Sequence, residues 1–355
     1  MINSVSTYSF DKRKIIFYSF LILYLIFITL NLKDFIGFSS IDEDMYTSWD
    51  RSYTEATSVG ILPGHFIWGY YISNLYVYGT TLPVYVSVLF FFYCFKQYYV
   101  KTNCSNIQMI LMLTQPSVLF YSQTYLRDST LMAFMMFLIS LLCITNRNKI
   151  WYIITFICLS FLLVLRPYVG VFIVTCFVLS TSKLSKFKLY RLFPILFIAV
   201  GLSIYLNQDI SDFFKNLVLS YESGISNFGL IGFERSNLDN FGVALTFLLN
   251  WIFYWNTYTF LGIDSLIKLI FVYDSILMFL FLISILFTFN KKKFIFDRAY
   301  RFCLFMILSS IVLASFESGN ATVLRHKLVF IPCLYYLFFS VKNLVIKIQS
   351  NEDKK

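Results

Sequence analysis

Apolar runs, each about as long as a membrane-crossing helix and divided by short polar stretches, recur along this entire chain. The first, Ile15–Leu32, follows the basic cluster Lys12-Arg13-Lys14. A helix needs about 20 mostly apolar residues to cross a bilayer core, with a lower limit near 17. On that rule the sequence predicts ten spans, at 15–32, 80–98, 106–122, 129–146, 150–166, 168–182, 192–207, 266–289, 302–317 and 328–347. Two semi-apolar stretches, 61–79 and 242–262, read as re-entrant or interfacial. The second carries Trp251, Tyr254 and Trp255, residue types that favour the headgroup layer. The expectation is an all-α, polytopic integral membrane protein of about ten transmembrane helices. It is a single transmembrane domain over 1–355, with both termini cytoplasmic and larger outer loops at about 33–79 and 208–265.

Composition points the same way. Only 14% of the 355 residues are charged while 58% are apolar, and mean hydropathy is +0.71; a soluble domain carries about 25% charged residues. Charge distribution supplies the orientation, because cytoplasmic loops are rich in Lys and Arg. With the N-terminus inside, the inner segments hold 20 of the 29 basic and four of the 19 acidic residues, a net of +16 against −6 outside. The same bias makes Arg166-Pro167 the tip of a hairpin between two helices, since one long helix would turn every later basic cluster outward. Pro167 then opens the second helix, where a missing N–H costs nothing. Ile15–Leu32 is long for a signal-peptide core and no small-residue cleavage site follows it, so it reads as an uncleaved helix. The net charge of +10 is a topology signal on this reading, and no nucleic-acid partner is expected. The seven cysteines have no metal or redox spacing, and they read as small apolar side chains. No metal and no cofactor is expected.

The polar residues that invite chemistry fall on the expected outer side. Asp42-Glu43-Asp44 with Tyr46 follows the first span; its carboxylates suit a general base, and equally a solvated acidic loop. Arg127-Asp128 opens the fourth span, Arg166-Pro167-Tyr168 forms the hairpin tip, Arg235 lies in the large loop, and Arg325-His326-Lys327 enters the last span. Singly, each arginine suits a side chain snorkelling to the interface. Together, at helix ends where positive charge is disfavoured, they suit a pocket for a lipid diphosphate, which arginine forks grip through paired hydrogen bonds. His326 suits a base or a phosphate ligand, and His65 a turn cap. The sequence carries no Walker loop, GxGxxG or GxSxG, so nucleotide-driven chemistry has no support.

These residues carry a resemblance. Asp42-Glu43-x-x-Tyr46 resembles the acidic first outer loop of GT-C-type membrane glycosyltransferases. Pro116…Tyr121-Ser122…Leu126-Arg127-Asp128-Ser129, Arg166-Pro167-Tyr168 and Gly319-Asn320-Ala321-Thr322…Arg325-His326-Lys327…Pro332 resemble bacterial O-antigen and polysaccharide polymerases of the Wzy type. That resemblance implies polymerisation of polyprenyl-diphosphate-linked oligosaccharide repeat units at the outer face of the bacterial cytoplasmic membrane, in lipopolysaccharide or capsular polysaccharide biosynthesis. It implies that Arg127, Arg166 and Arg325 hold the diphosphate, with Arg235 near the sugars. Asp42, Glu43 or His326 would assist the acceptor hydroxyl, and Tyr46, Trp251 and Trp255 would stack on sugar rings. Implied partners are the lipid-linked glycan, membrane lipid, and a chain-length regulator and flippase of the same pathway. Two other readings stay open: a GT-C-type enzyme adding one sugar from a polyprenyl-phosphate donor, and a lipid-linked glycan flippase.

Overall fold

The computed structural model describes residues 2–31, 63–124, 127–144, 147–181, 192–213, 239–245, 248, 266–288, 297–316 and 326–340. Among these the regular structure is helical, without a strand. The chain forms two compact units, Met1–Val174 and Thr175–Lys355.

The all-α expectation holds, and the membrane-spanning one is overturned. Among the described residues no helix is long and apolar enough to cross a membrane. Where they are described, the predicted spans fall on helices, the last only over 331–340, but these helices are short or carry charge. The run 106–122 is two helices, α4 (Asn106–Thr114) and α5 (Pro116–Tyr121). Helices α6 (Asp128–Leu142), α8 (Pro167–Thr181) and α9 (Leu192–Leu206) have 15 residues each, about 22 Å of rise against a core of about 30 Å; α7 (Lys149–Leu165) has 17. Longer helices include polar positions: Lys12, Arg13 and Lys14 in α1 (Ile2–Thr29), Lys96 and Lys101 in α3 (Leu82–Lys101), Lys268 and Asp274 in α10 (Leu266–Thr288), Arg298 and Arg301 in α11 (Arg298–Phe316). The polytopic arrangement with cytoplasmic termini therefore loses its basis. Much of the apolar surplus lies instead on exposed helix faces, such as Ile150, Ile153, Phe156 and Phe161 of α7.

The first unit is built on α6, which is buried on nearly every side, as a helix apolar all round should be. α3 packs along it most extensively, with α7 beside it. α7 turns one stripe inward, Trp151, Thr155, Cys158, Leu162 and Leu165, spaced at three and four residues. The indole Nε1 of Trp151 donates to the Leu141 carbonyl at 2.8 Å. On the other side α1 lays Phe17 and Tyr24, seven residues apart, against α3; ring centroids of Phe17–Phe92 and Tyr24–Phe92 are 5.5 and 5.1 Å apart, both edge-on. The Tyr24 hydroxyl then donates to the Leu113 carbonyl at the end of α4, 2.7 Å away. The stretch 61–79, expected to be re-entrant or interfacial, contains α2 (Pro63–Tyr76), packed on α3 and α7 with Trp68 and Ile72 buried.

In the second unit, Phe281 of α10 stacks on Phe338 at 4.2 Å and meets Tyr335 edge-on at 5.0 Å. Both partners lie in the helical segment 331–340. The Tyr336 hydroxyl donates to Asp297 Oδ2 at 2.6 Å, and Asp297 Oδ1 accepts from the Ala299 amide at the start of α11. Arg301 Nη2 donates to the Ser180 carbonyl at 2.9 Å, tying α11 to the end of α8.

Candidate functional site

Two proline-directed breaks shape the polar interior of the first unit. A residue before proline is driven out of the helical region. Gln115, before Pro116, accordingly takes φ −63°, ψ 125°, and Arg166, before Pro167, takes φ −147°, ψ 86°. Arg166 ends α7, its N–H donating to the Leu162 carbonyl at 3.2 Å. It also begins α8, its carbonyl accepting from Gly170 N–H at 2.7 Å. The chain folds back sharply here: a methyl group added to Gly170 would lie 2.5 Å from Leu163 Cα, whereas seven residues of continuous helix would separate the two by about 10 Å. The close approach requires glycine. Gly64, in the first turn of α2, is equally committed, since a methyl there would meet the carbonyl oxygens of Val164 and Leu165.

The fold-back brings Arg166 to the start of α6. Its Nη2 lies 2.9 Å from Asp128 Oδ1, with the two side chains 3% and 0% exposed. Asp128 is in the first helical turn, where the positive end of the helix dipole also favours a carboxylate. Arg127, next to it and buried, donates from Nη1 to the Leu165 carbonyl at 2.6 Å. Two buried guanidinium groups and one buried carboxylate thus meet where α6 begins and α7 ends. The segment leading into α6 and the first turn of α6 are polar and enclosed: Gln115, Ser117, Ser122, Gln123, Thr124, Ser129 and Thr130 are all buried. With two guanidinium groups against one carboxylate, the cluster places a surplus positive charge inside a unit otherwise packed with aliphatic and aromatic side chains.

Of the site residues expected from sequence, the structure brings together Arg127 and Arg166. His326 is buried in the second unit, beside a fully buried Lys327. Asp42, Glu43, Tyr46, Arg235, Trp251, Trp255 and Arg325 lie outside the described residues. Sequence reasoning missed Asp128 as a member of the site, although its place beside Arg127 at a helix start was a usable signal. It also passed over Gln115, signalled only by the proline after it, and the Asp274–Lys327 relationship. Both of those residues are fully buried; burial pushes the Lys327 ammonium down while the Asp274 carboxylate pulls it up. The seven cysteines form no disulfide. Among the described residues no group of three or more His, Cys, Asp and Glu side chains could hold a metal ion.

Comparison with protein-family models, curated proteins and solved structures finds no match to this chain.

Proposed function

We propose that this chain is a glycosyltransferase that joins polyprenyl-diphosphate-linked oligosaccharide repeat units into a polysaccharide of O-antigen or capsular type, acting at the bacterial cytoplasmic membrane. One observation supports it above the rest: Arg127 and Arg166, far apart in the chain, are both buried at the junction of α6 and α7, Arg166 against Asp128 and Arg127 against the Leu165 carbonyl. Buried guanidinium groups carry the charge and fork geometry that a diphosphate leaving group needs. In the reaction an acceptor hydroxyl of one repeat unit attacks the anomeric carbon of another. The bond from that carbon to the diphosphate oxygen breaks, and polyprenyl diphosphate leaves with the electron pair. The arginines stabilise the charge that develops on it. The acceptor proton passes to a base, for which Asp42 and Glu43 are the candidates. No cofactor takes part in this scheme, and the chain-length regulator and flippase of the pathway are its natural partners.

The test is a chromosomal exchange of Arg127 or Arg166 for Gln, with surface glycan resolved on a gel. The expected result is collapse of the ladder to a single repeat unit, read per amount of folded protein, because loss of the Asp128 partner also lowers stability. Wild-type ladders in both variants would overturn the proposal. A glycan short of one sugar would identify a single-sugar transferase, and repeat units stranded on their lipid inside the cell would identify a flippase.

A further inference from the structure

Gln115 is the most unusual neutral side chain in the first unit. It is fully buried, and neither its Nε2 nor its Oε1 has a hydrogen-bond partner among the described residues. Its neighbours solve the same problem locally. Thr114 donates to the Ile110 carbonyl at 2.8 Å, Ser122 and Gln123 each donate to the Leu119 carbonyl at 2.9 Å, and Thr124 donates to the Tyr121 carbonyl at 2.8 Å. Gln115 stands at the joint between α4 and α5, where Pro116 holds its backbone extended. A buried amide donor and acceptor left unmatched are expensive to keep, so the position demands an occupant.

The carboxamide restricts what that occupant is. It offers a donor and an acceptor side by side. A phosphate only accepts and would leave Oε1 unmatched; an ammonium only donates and would leave Nε2 unmatched. Two adjacent hydroxyls, each able to donate and to accept, answer both atoms at once.

We propose that Gln115 is a sugar-recognition residue, its carboxamide engaging an adjacent hydroxyl pair of a neutral sugar of the substrate. This deepens the glycan reading and rests on it. The competing occupant is ordered water held for structure alone.

The experiment follows thermal melting of the purified full-length chain with methyl glycosides of glucose, galactose and N-acetylglucosamine, and separately with inorganic pyrophosphate. In the wild type at least one glycoside is expected to raise the melting temperature saturably. Gln115→Met, which keeps length and removes the amide, is expected to bind that glycoside at least about tenfold more weakly. Its unliganded melting temperature should be equal or higher, because the unmatched amide is gone. Glycoside binding within twofold of wild type overturns the proposal, whatever the melting temperature. Where Gln115→Met loses its cooperative transition, Gln115→Asn, which draws the amide back by one methylene, is read the same way. A wild-type chain that no glycoside shifts also overturns the proposal, and a surviving pyrophosphate shift then leaves the arginine reading standing. A Gln115-dependent glycoside shift without one with pyrophosphate keeps this proposal and removes the arginines from the leaving group.

Discussion

Arg166 and Asp128 stand 2.9 Å apart, nitrogen to oxygen, and both side chains are buried. They lie 38 residues apart in the chain, and their pairing pins the end of α7 to the start of α6. In such a place the pair matters less for its net contribution than for what happens when one member is lost, since the survivor is left as a buried charge.

Asp128→Ala or Arg166→Met should each destabilise the chain by about 3–5 kcal/mol. The double replacement Asp128→Leu with Arg166→Met should cost clearly less than the sum of the singles. Denaturant titration of the four proteins measures this. Strict additivity would mean the two side chains do not interact.

Gly64→Ala would ordinarily favour a helix by about 1 kcal/mol. Here the added methyl meets the backbone oxygens of Val164 and Leu165, which cannot rotate away. The expected outcome is a loss of about 1–3 kcal/mol, seen as a lower melting temperature. A more stable variant would show that α2 and α7 are not in contact at this position.

Tyr24→Phe deletes the hydroxyl that donates to the Leu113 carbonyl at 2.7 Å while keeping the ring against Phe91 and Phe92. A buried carbonyl then loses a donor, at a cost of about 1–3 kcal/mol. Amide hydrogen exchange should rise in α1 and at the end of α4 more than in α7.

Lys327 gives the second unit a pH dependence. Burial lowers its pKa from 10.5 to about 7, against the pull of Asp274. Between those two values the unfolded chain carries a proton that the folded chain has released, so folding stability rises with pH across that window and falls as pH drops back through it. Lys327→Met should flatten this slope in melting temperature against pH. An unchanged slope would assign it to another group.

Helix positions were legible because helix formation is local: each backbone bond closes over four residues. The run 150–166 became Lys149–Leu165 and 192–207 became Leu192–Leu206. Asn148, accepting from the Trp151 amide at 2.9 Å, marks a start that residue type alone foretells. The fold-back at Arg166-Pro167 was expected from the charge bias of a membrane topology, whereas what makes it is local: proline restricts the residue before it. What covers the apolar faces was not legible. Composition states how much apolar surface a chain carries, and nothing in composition says whether Leu131–Leu142 meets lipid or the side chains of α3 and α7.

The sequence by itself determined that the chain is helical, where helices begin and break, and which arginines stand at their ends. Only the tertiary structure decided that Arg127, Asp128 and Arg166 share one enclosed place, that Gln115 is fully buried with its carboxamide unmatched, and that no helix among the described residues is long and apolar enough to cross a membrane. The reason is range. Caps, prolines and apolar periodicity act within a few residues, whereas the ion pair joins positions 38 apart, and its formation depends on how α6, α7 and α8 pack.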